Sequence, residues 1–225
     1  MTDLTKQILD SVRRASALQL WQLGGVKVNL GEPFKLTSGN YSPIYLNCRK
    51  LISSAAFADL FAAAARMICE AGGVRFDIVA GGETAGIPFA AFLARTFGKP
   101  MIYVRKAAKE HGVLSLIEGV LAEKARVLLV EDLITDAGSK LHFISGITDT
   151  GGIVEDVLVF FDRQQGGREA LKVRGIRLHS ITDMSMVLEV AEAEQILSSD
   201  EFKTVREYLR SPADWHEQKG LAFKQ

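Results

Sequence analysis

Two adjacent carboxylates follow a short apolar run near the middle of the chain. Residues 127–130 are apolar, Glu131 and Asp132 come next, and residues 133–139 form a turn containing Thr, Gly and Ser that leads into helical spacing. The free N–H groups at a helix N-terminus bind phosphate, and the hydroxyl groups of this turn add donors. Carboxylates nearby are suited to accept hydrogen bonds from sugar hydroxyls or to organise Mg²⁺. The stretch predicts a site for a phosphorylated sugar; the alternative is a helix cap with solvated acids.

A basic segment supplies the opposite charge. Arg105, Lys106 and Lys109 precede His111 in the mostly polar residues 105–118. Three cations and a histidine on one loop can neutralise a departing pyrophosphate. Taken alone, the pattern also fits a solvated basic loop.

Three shorter segments point in the same direction with less specificity. The glycine-rich turn at residues 81–86 lets backbone N–H groups approach an oxyanion. Arg163 follows an apolar run, and its planar guanidinium suits a carboxylate, although an arginine at a strand end is usually a surface charge. Residues 36–47 contain Ser-Gly and Ser-Pro pairs and two tyrosines, which by themselves predict only a turn entering an edge strand.

Other phosphate and metal motifs are absent from the sequence. There is no G-x-x-x-x-G-K-[ST], and no G-x-G-x-x-G follows a strand, so triphosphate hydrolysis and dinucleotide binding are poorly supported. The four histidines lack metal-ligand spacing, and we interpret His142, His179 and His216 as structural or surface residues. Cys48 and Cys69 are too few for a disulfide framework and fit a reducing compartment.

The elements that must position these residues alternate along the chain. Helical spacing covers four segments, of which the last resembles two helices: residues 2–20, 53–71, 87–97 and 185–209. Apolar runs predict five strands: residues 76–80, 101–104, 127–130, 157–161 and 176–181. A further helix follows the turn at residues 133–139, and short strands are expected within residues 24–40. Strands alternating with helices favour an α/β fold with a mainly parallel central sheet.

Composition limits the partners. The 225 residues are 48% hydrophobic, enough for a sizeable core, and suit one domain. The 27 basic residues balance 27 acidic residues, which gives no general attraction to nucleic acid or to an anionic membrane. The sequence has no apolar stretch of membrane-spanning length and no signal-peptide pattern, so we expect a cytoplasmic protein.

Together, the five segments resemble the orotate phosphoribosyltransferases, members of the type I phosphoribosyltransferase family. Residues 127–139 are similar to the family's phosphoribosyl pyrophosphate (PRPP) motif, and residues 104–112 to its catalytic loop. Residues 81–88 correspond to its pyrophosphate loop. Residues 36–47 resemble its N-terminal segment, and the Asp-Arg pair at 162–163 its orotate-binding arginine.

The resemblance implies a fold and an activity. The fold has a small N-terminal hood at about residues 1–50, followed by an α/β core and closing helices at about 51–225. The activity is transfer of the 5-phosphoribosyl group from PRPP to orotate in pyrimidine synthesis, with Mg²⁺ carried by the pyrophosphate instead of by protein ligands. It also implies a homodimer whose catalytic loops reach the partner's active site. A purine-type phosphoribosyltransferase and a non-catalytic PRPP-binding regulator are the alternatives.

The family's functional residues carry over to the matched positions of this sequence. Four are expected to act in catalysis: Lys109, His111, Glu131 and Asp132. The residues expected to bind PRPP are Thr37, Thr84, Ala85, Arg105, Lys106, Lys109, His111, Glu131, Asp132, Leu133, Ile134, Thr135, Asp136, Ala137, Gly138 and Ser139. Those expected to bind orotate are Tyr45, Leu46, Thr135 and Arg163.

Five positions depart from the family pattern, and two of them are Val113 and Leu114, which replace more polar or glycine-rich residues after Gly112. Thr37 and Ala85 stand where many relatives carry lysines, and Ala137 replaces a glycine of the phosphate turn. If position 137 requires a positive φ, alanine costs roughly 1 kcal/mol there.

Overall fold

The computed structural model describes residues 3–36, 38–107 and 116–224. Three residues predicted to act at the site, Thr37, Lys109 and His111, lie outside these ranges.

The chain opens with a helix and two small antiparallel sheets. Helix α1 (Asp3–Gln22) agrees with the helical spacing of the N-terminal residues. Four short strands follow: β1 (Val26–Val28), β2 (Phe34–Lys35), β3 (Tyr41–Ser42) and β4 (Ile44–Leu46). Strand β1 pairs with β4, and β2 pairs with β3. A 3₁₀ helix at Cys48–Ser53 then leads into the central part of the fold.

A six-stranded sheet forms the centre of the molecule. Its strands are β5 (Ile78–Gly82), β6 (Met101–Val104), β7 (Ile117–Glu118), β8 (Arg126–Ile134), β9 (Ile153–Asp162) and β10 (Arg177–Asp183). They lie in the order β10-β9-β8-β5-β6-β7, and every neighbouring pair is parallel except β6 and β7. The predicted α/β fold with a mainly parallel sheet is therefore confirmed.

Helices connect the strands and close the fold. They are α2 (Ala55–Ala71), α3 (Gly86–Phe97), α4 (Gly138–Asp149), α5 (Gly167–Lys172), α6 (Met184–Ala193), α7 (Ser199–Arg210) and α8 (Pro212–Gln218). The two closing helices expected at residues 185–209 are α6 and α7. Helix α8 is additional; it begins with Pro212 and a cap from Ser211, whose side chain accepts the N–H of Asp214. Within the described ranges, no helix is long and apolar enough to cross a membrane.

Four phenylalanine rings pack together between the central sheet and two helices. Phe57 and Phe61 of α2, Phe89 of α3 and Phe160 of β9 are fully buried. Their ring centroids lie between 5.1 Å and 6.4 Å apart, mostly in tilted or edge-to-face arrangements. Each such pair adds about 0.5–1.5 kcal/mol beyond the burial of its surface. The cluster therefore holds α2 and α3 firmly on one face of the sheet.

Strand β8 is longer than its apolar run predicts. The sequence placed the end of the strand at residue 130, before the acid pair. The strand continues to Ile134 because its backbone keeps pairing with β9, where Glu131 lies opposite Val159 and Ile134 opposite Asp162. The two acids consequently belong to the strand and not to the turn after it.

The C-terminal segment is bonded to the hood. His216 is fully buried, and its Nε2 accepts the N–H of Tyr41 at 2.9 Å, so its Nδ1 carries the hydrogen donated to the carbonyl of Pro212. The side-chain amide of Asn40 exchanges two hydrogen bonds with the backbone of Lys224, each 2.8 Å long. We call these contacts the C-terminal clasp. The interpretation of His216 as a structural residue is confirmed.

Candidate active site

The predicted site residues gather where the parallel strands end. Strand β5 ends at Gly82, β8 at Ile134 and β9 at Asp162, and these strands are neighbours in the sheet. Ligands of open α/β sheets bind outside the carboxyl ends of the strands. The topology therefore brings the glycine-rich turn, the acid pair and Arg163 to one edge.

Glu131 is held by protein groups on both of its carboxylate oxygens. Oε1 accepts the N–H of Gly82 at 2.9 Å, and Oε2 lies 3.0 Å from Nζ of Lys140 in the first turn of α4. A side chain at Gly82 or at Gly86 would collide with this carboxylate. Burial raises the pKa of Glu131 to about 7, although Lys140 and the Gly82 N–H act in the opposite direction. Glu131 thus ties β8 to the end of β5 and to α4.

Asp132 faces the opposite side of the strand, because successive side chains alternate. Its Oδ1 accepts the N–H of Leu133 at 2.9 Å. Burial raises the pKa of this carboxyl, while Lys140, the Leu133 N–H and Arg49 oppose the shift. The thiol of Cys48 lies close by: burial raises its pKa, and the charge of Asp132 adds to the effect. Asp132 therefore faces the start of the 3₁₀ helix.

The turn at residues 135–139, which we call the phosphate turn after the role that the family resemblance implies, contains a residue with positive φ. Ala137 adopts φ 74°, the left-handed conformation that is costly for alanine. Helix α4 begins at the next residue, and the N–H of Gly138 donates to Oδ1 of Asp136 at 2.9 Å. Thr135 is half-buried and Ser139 is exposed. The turn presents a helix N-terminus at the end of β8, as a phosphate site requires.

Arg163 lies beside this turn. Its backbone N–H donates to the carbonyl of Ile134 at 3.0 Å, which joins the ends of β8 and β9. Its charge is close enough to Cys48 to oppose the effects of burial and of Asp132 on the thiol pKa. Arg163 also lines a cavity of about 880 Å³ bordered by α6 and α7. The backbone of Arg163 thus lies next to the end of β8, where the turn at residues 135–139 begins, and the residue borders open space.

The two predicted hood contacts differ in exposure. Tyr45 is 39% exposed and its ring centroid lies 5.5 Å from that of Phe34, whereas Leu46 is 5% exposed and packs in the core. Strand alternation explains the difference. Tyr45 is the one whose side chain is accessible to a ligand.

The glycine-rich turn and the start of the basic segment are joined. Thr84 is exposed and Ala85 half-buried in the turn that precedes α3. Oε2 of Glu83 accepts the N–H of Lys106 at 2.9 Å. Arg105 pairs with Glu118 at 3.3 Å, which brings the two ends of the basic segment together.

Sequence reasoning overlooked several residues that the structure brings to this site. They are Arg49, Glu83, Lys140 and His142. Lys140 comes directly after the PRPP motif, which was the available signal. For Glu83, the signal was the presence of an acidic residue in a glycine-rich turn that was predicted to bind an anion. His142, interpreted as structural or surface, is exposed, and its Nε2 lies 3.0 Å from the carbonyl oxygen of Lys106.

Comparison with known proteins agrees with this architecture, although no family model matches the chain. The chain is 45% identical over 210 residues to the orotate phosphoribosyltransferase of Sinorhizobium fredii, covering 91% of this chain and 90% of that protein. The crystal structure of orotate phosphoribosyltransferase from Aeropyrum pernix matches with a TM-score of 0.67 and 32% identity, covering 81% of this chain and 99% of that one. Leishmania donovani UMP synthase gives a TM-score of 0.76 and 26% identity; the match covers 87% of this chain but 42% of that protein.

The fold and the arrangement at the sheet edge define a type I phosphoribosyltransferase. Identity of 45% across nine-tenths of the chain is specific enough to go further. The chain belongs to the orotate phosphoribosyltransferase family.

Proposed function

We propose that the chain transfers the 5-phosphoribosyl group from PRPP to orotate, giving orotidine 5′-phosphate and pyrophosphate in pyrimidine biosynthesis. The observation that carries the proposal is the direct bond between Arg163 N–H and the carbonyl of Ile134. The bond brings the backbone of Arg163 next to the end of β8, from which the chain continues to the N-terminus of α4. This supports the proposal, because an arginine suits the orotate carboxylate and a helix N-terminus suits the 5′-phosphate. The curated relatives bear the same name as this activity.

Positioning and electrostatics carry the reaction. N1 of orotate forms a bond to C1′ of the ribose and releases its proton, to a pyrophosphate oxygen or to water, as the bond to pyrophosphate breaks. Positive charge develops on the sugar and negative charge on the leaving group. The turn at residues 135–139 would hold the 5′-phosphate. Arg105, Lys106, Lys109 and His111 would act on the pyrophosphate, while Arg163 and Tyr45 would hold orotate.

Glu131 and Asp132 would have different roles. Both oxygens of Glu131 already have protein partners, whereas Asp132 faces the opposite side of the strand. We therefore assign the ribose hydroxyls to Asp132. Glu131 would act as a positioning residue, because its ion pair with Lys140 anchors the helix that begins at the phosphate turn.

A magnesium ion fits this arrangement as a companion of the substrate. Within the described residues, no group of three or more His, Cys, Asp or Glu side chains could hold a metal by itself. The pyrophosphate of PRPP, with water, would supply the ion's oxygen ligands, which are of the type that Mg²⁺ prefers. When bound, Mg²⁺ neutralises charge on the pyrophosphate.

A substrate panel tests the proposal. Turnover with PRPP and Mg²⁺ is measured with orotate, adenine, hypoxanthine and xanthine. We expect turnover with orotate alone, because Arg163 offers a charged partner for the orotate carboxylate, which the purines lack. Preference for a purine would support the purine-type alternative, and PRPP binding without turnover of any base would support the binding regulator.

The proposal includes a homodimer, a cytoplasmic location and one phosphoribosyltransferase domain covering residues 1–225. Family resemblance supports all three. The assembly has a direct test through mixed dimers, given in the Discussion.

A further inference from the structure

The peptide backbone of Lys106 is bonded on both sides. Its N–H donates to Oε2 of Glu83 at 2.9 Å, and its carbonyl oxygen lies 3.0 Å from Nε2 of His142. Since a carbonyl oxygen can only accept, Nε2 of His142 carries the hydrogen of this bond. Glu83 lies in the turn after β5 and His142 lies in α4, and both side chains therefore hydrogen-bond to the backbone of the same residue.

Glu83 and His142 both lie on parts of the structure that are held in place by other contacts. The N–H of Glu83 donates to the carbonyl of Val104 at 2.8 Å, which extends the pairing of β5 with β6. Next to His142, the buried ring of Phe143 fills the space above Gly82 that a side chain would otherwise need. One turn further along α4, Gly146 lies against Val104. The two hydrogen bonds to Lys106 are thus made by side chains on well-packed elements, the edge of the sheet and α4.

Binding of an anion does not explain the presence of a carboxylate at Glu83. A carboxylate in a turn proposed to receive pyrophosphate repels that ligand, so its presence weakens binding unless it performs another task. The bond to the Lys106 N–H is such a task. It requires an acceptor at residue 83, and it does not require a charge.

We propose that Glu83 and His142 are positioning residues that fix the Lys106 backbone between the pyrophosphate turn and α4. The inference rests on the proposed function, in which Lys106 acts on the pyrophosphate. A displacement of about 1 Å at such a group costs up to about 100-fold in rate, although the bonds themselves add little to global stability.

Paired substitutions test the inference in the full-length protein. Glu83→Ala and His142→Ala remove the acceptor and the donor, while Glu83→Gln and His142→Gln keep them. Ser145→Ala, another exposed position on α4, is the matched control. We expect kcat to fall about 10-fold in both alanine variants, with melting temperatures near that of the parent protein, and to return to within about threefold of parent in both glutamine variants.

The result for Glu83→Gln separates this role from binding of a cation by the carboxylate. If Glu83 acts through its charge, for example as a ligand of Mg²⁺, glutamine fails as badly as alanine and the Mg²⁺ requirement rises. That outcome overturns the proposal, as does unchanged kcat in the two alanine variants.

Hydrogen exchange supplies a readout that needs no activity. The Lys106 amide should exchange at least about 10-fold faster in Glu83→Ala than in the parent or in Glu83→Gln, because its bonded acceptor is lost. Equal exchange in all three proteins overturns the inference. An inactive parent protein would instead count against the proposed function. The exchange result would still decide whether Glu83 holds the Lys106 backbone by a hydrogen bond.

Discussion

Nζ of Lys140 lies 3.0 Å from Oε2 of Glu131, and both side chains are almost completely buried. The pair connects the first turn of α4 to β8, directly behind the phosphate turn. Buried ion pairs rarely add net stability compared with apolar side chains, but loss of one partner leaves the other charge uncompensated. The pair is best understood as a device that fixes the position of α4.

Lys140→Met should destabilise the protein in a manner that depends on pH. The pKa of Glu131 is about 7 in the folded chain, above its ordinary 4.5, so the folded state holds this proton more tightly than the unfolded state. The associated stability is fully present below pH 4.5 and is lost as pH rises through 7. Without Lys140 the folded pKa rises further, and the loss extends to higher pH.

The measurement is thermal unfolding of parent and Lys140→Met between pH 5 and pH 8. We expect a small difference at pH 5, where Glu131 is neutral in both proteins, and about 3 kcal/mol at pH 8. Lys172→Met, at an exposed position of α5, is the control and should show no such trend. A difference that stays constant with pH would contradict the assignment.

Ala137→Gly should stabilise the protein by roughly 1 kcal/mol. The position has φ 74°, which glycine adopts without the steric cost that alanine pays. Ala63→Gly, at an exposed position inside α2, should destabilise by a similar amount, because helical glycine is unfavourable. Urea unfolding of both variants checks the opposite signs; a loss of stability at position 137 would show that other contacts dominate.

Arg163→Ala should raise KM for orotate about 10- to 100-fold and change KM for PRPP much less. The arginine is proposed to bind the orotate carboxylate, and a charge-assisted hydrogen bond contributes about 1.5–3 kcal/mol. Arg174→Ala, at an exposed position, serves as the control. Steady-state kinetics with each substrate varied in turn would expose an error if both KM values rose equally.

Lys109→Ala should lower kcat by about 100-fold with little change in orotate binding. A cation that acts on charge developing on the leaving group contributes mainly in the transition state. Turnover and equilibrium orotate binding are measured on the same preparation. Near-normal turnover would remove Lys109 from the catalytic residues.

Mixed dimers test whether the basic loop acts on the partner's site. Lys109→Ala and Asp132→Asn proteins, each nearly inactive, are mixed and allowed to exchange subunits. If loops are shared, one site of the mixed dimer receives both defects and the other receives none, so activity returns. Failure to recover activity, with exchange demonstrated by a fluorescent label, would reject the shared site and leave the enzyme assignment intact.

Local patterns located the central elements well. The strand predicted at residues 101–104 has the observed bounds of β6, and α3 begins one residue before the predicted 87. Pro100 directly precedes β6, and α3 begins at Gly86 and ends before Gly98, so the signals that bound these elements act locally. The hood strands are two or three residues long, too short for a period-two pattern to specify their pairing.

The motifs of the candidate site could be predicted from the sequence, but the different roles of its residues could not. The chain pattern placed Glu131 and Asp132 together, but their separation onto two faces depends on β8 pairing with β9 through Ile134. Lys140 is an ordinary helix residue in sequence, and only the packing of α4 buries it against Glu131. Such relationships arise from tertiary contacts that a local window does not contain.

The C-terminal clasp has a consequence for the order of folding. Tyr41 and His216 are 175 residues apart in the chain, and Asn40 and Lys224 are 184 residues apart. Contacts of such separation carry a large loop-closure entropy and form late unless the intervening chain is already compact. On a ribosome, β3 must wait without these partners until residues 216–224 have emerged. The central sheet, whose last strand ends at Asp183, can thus assemble before the hood makes its contacts with residues 216–224.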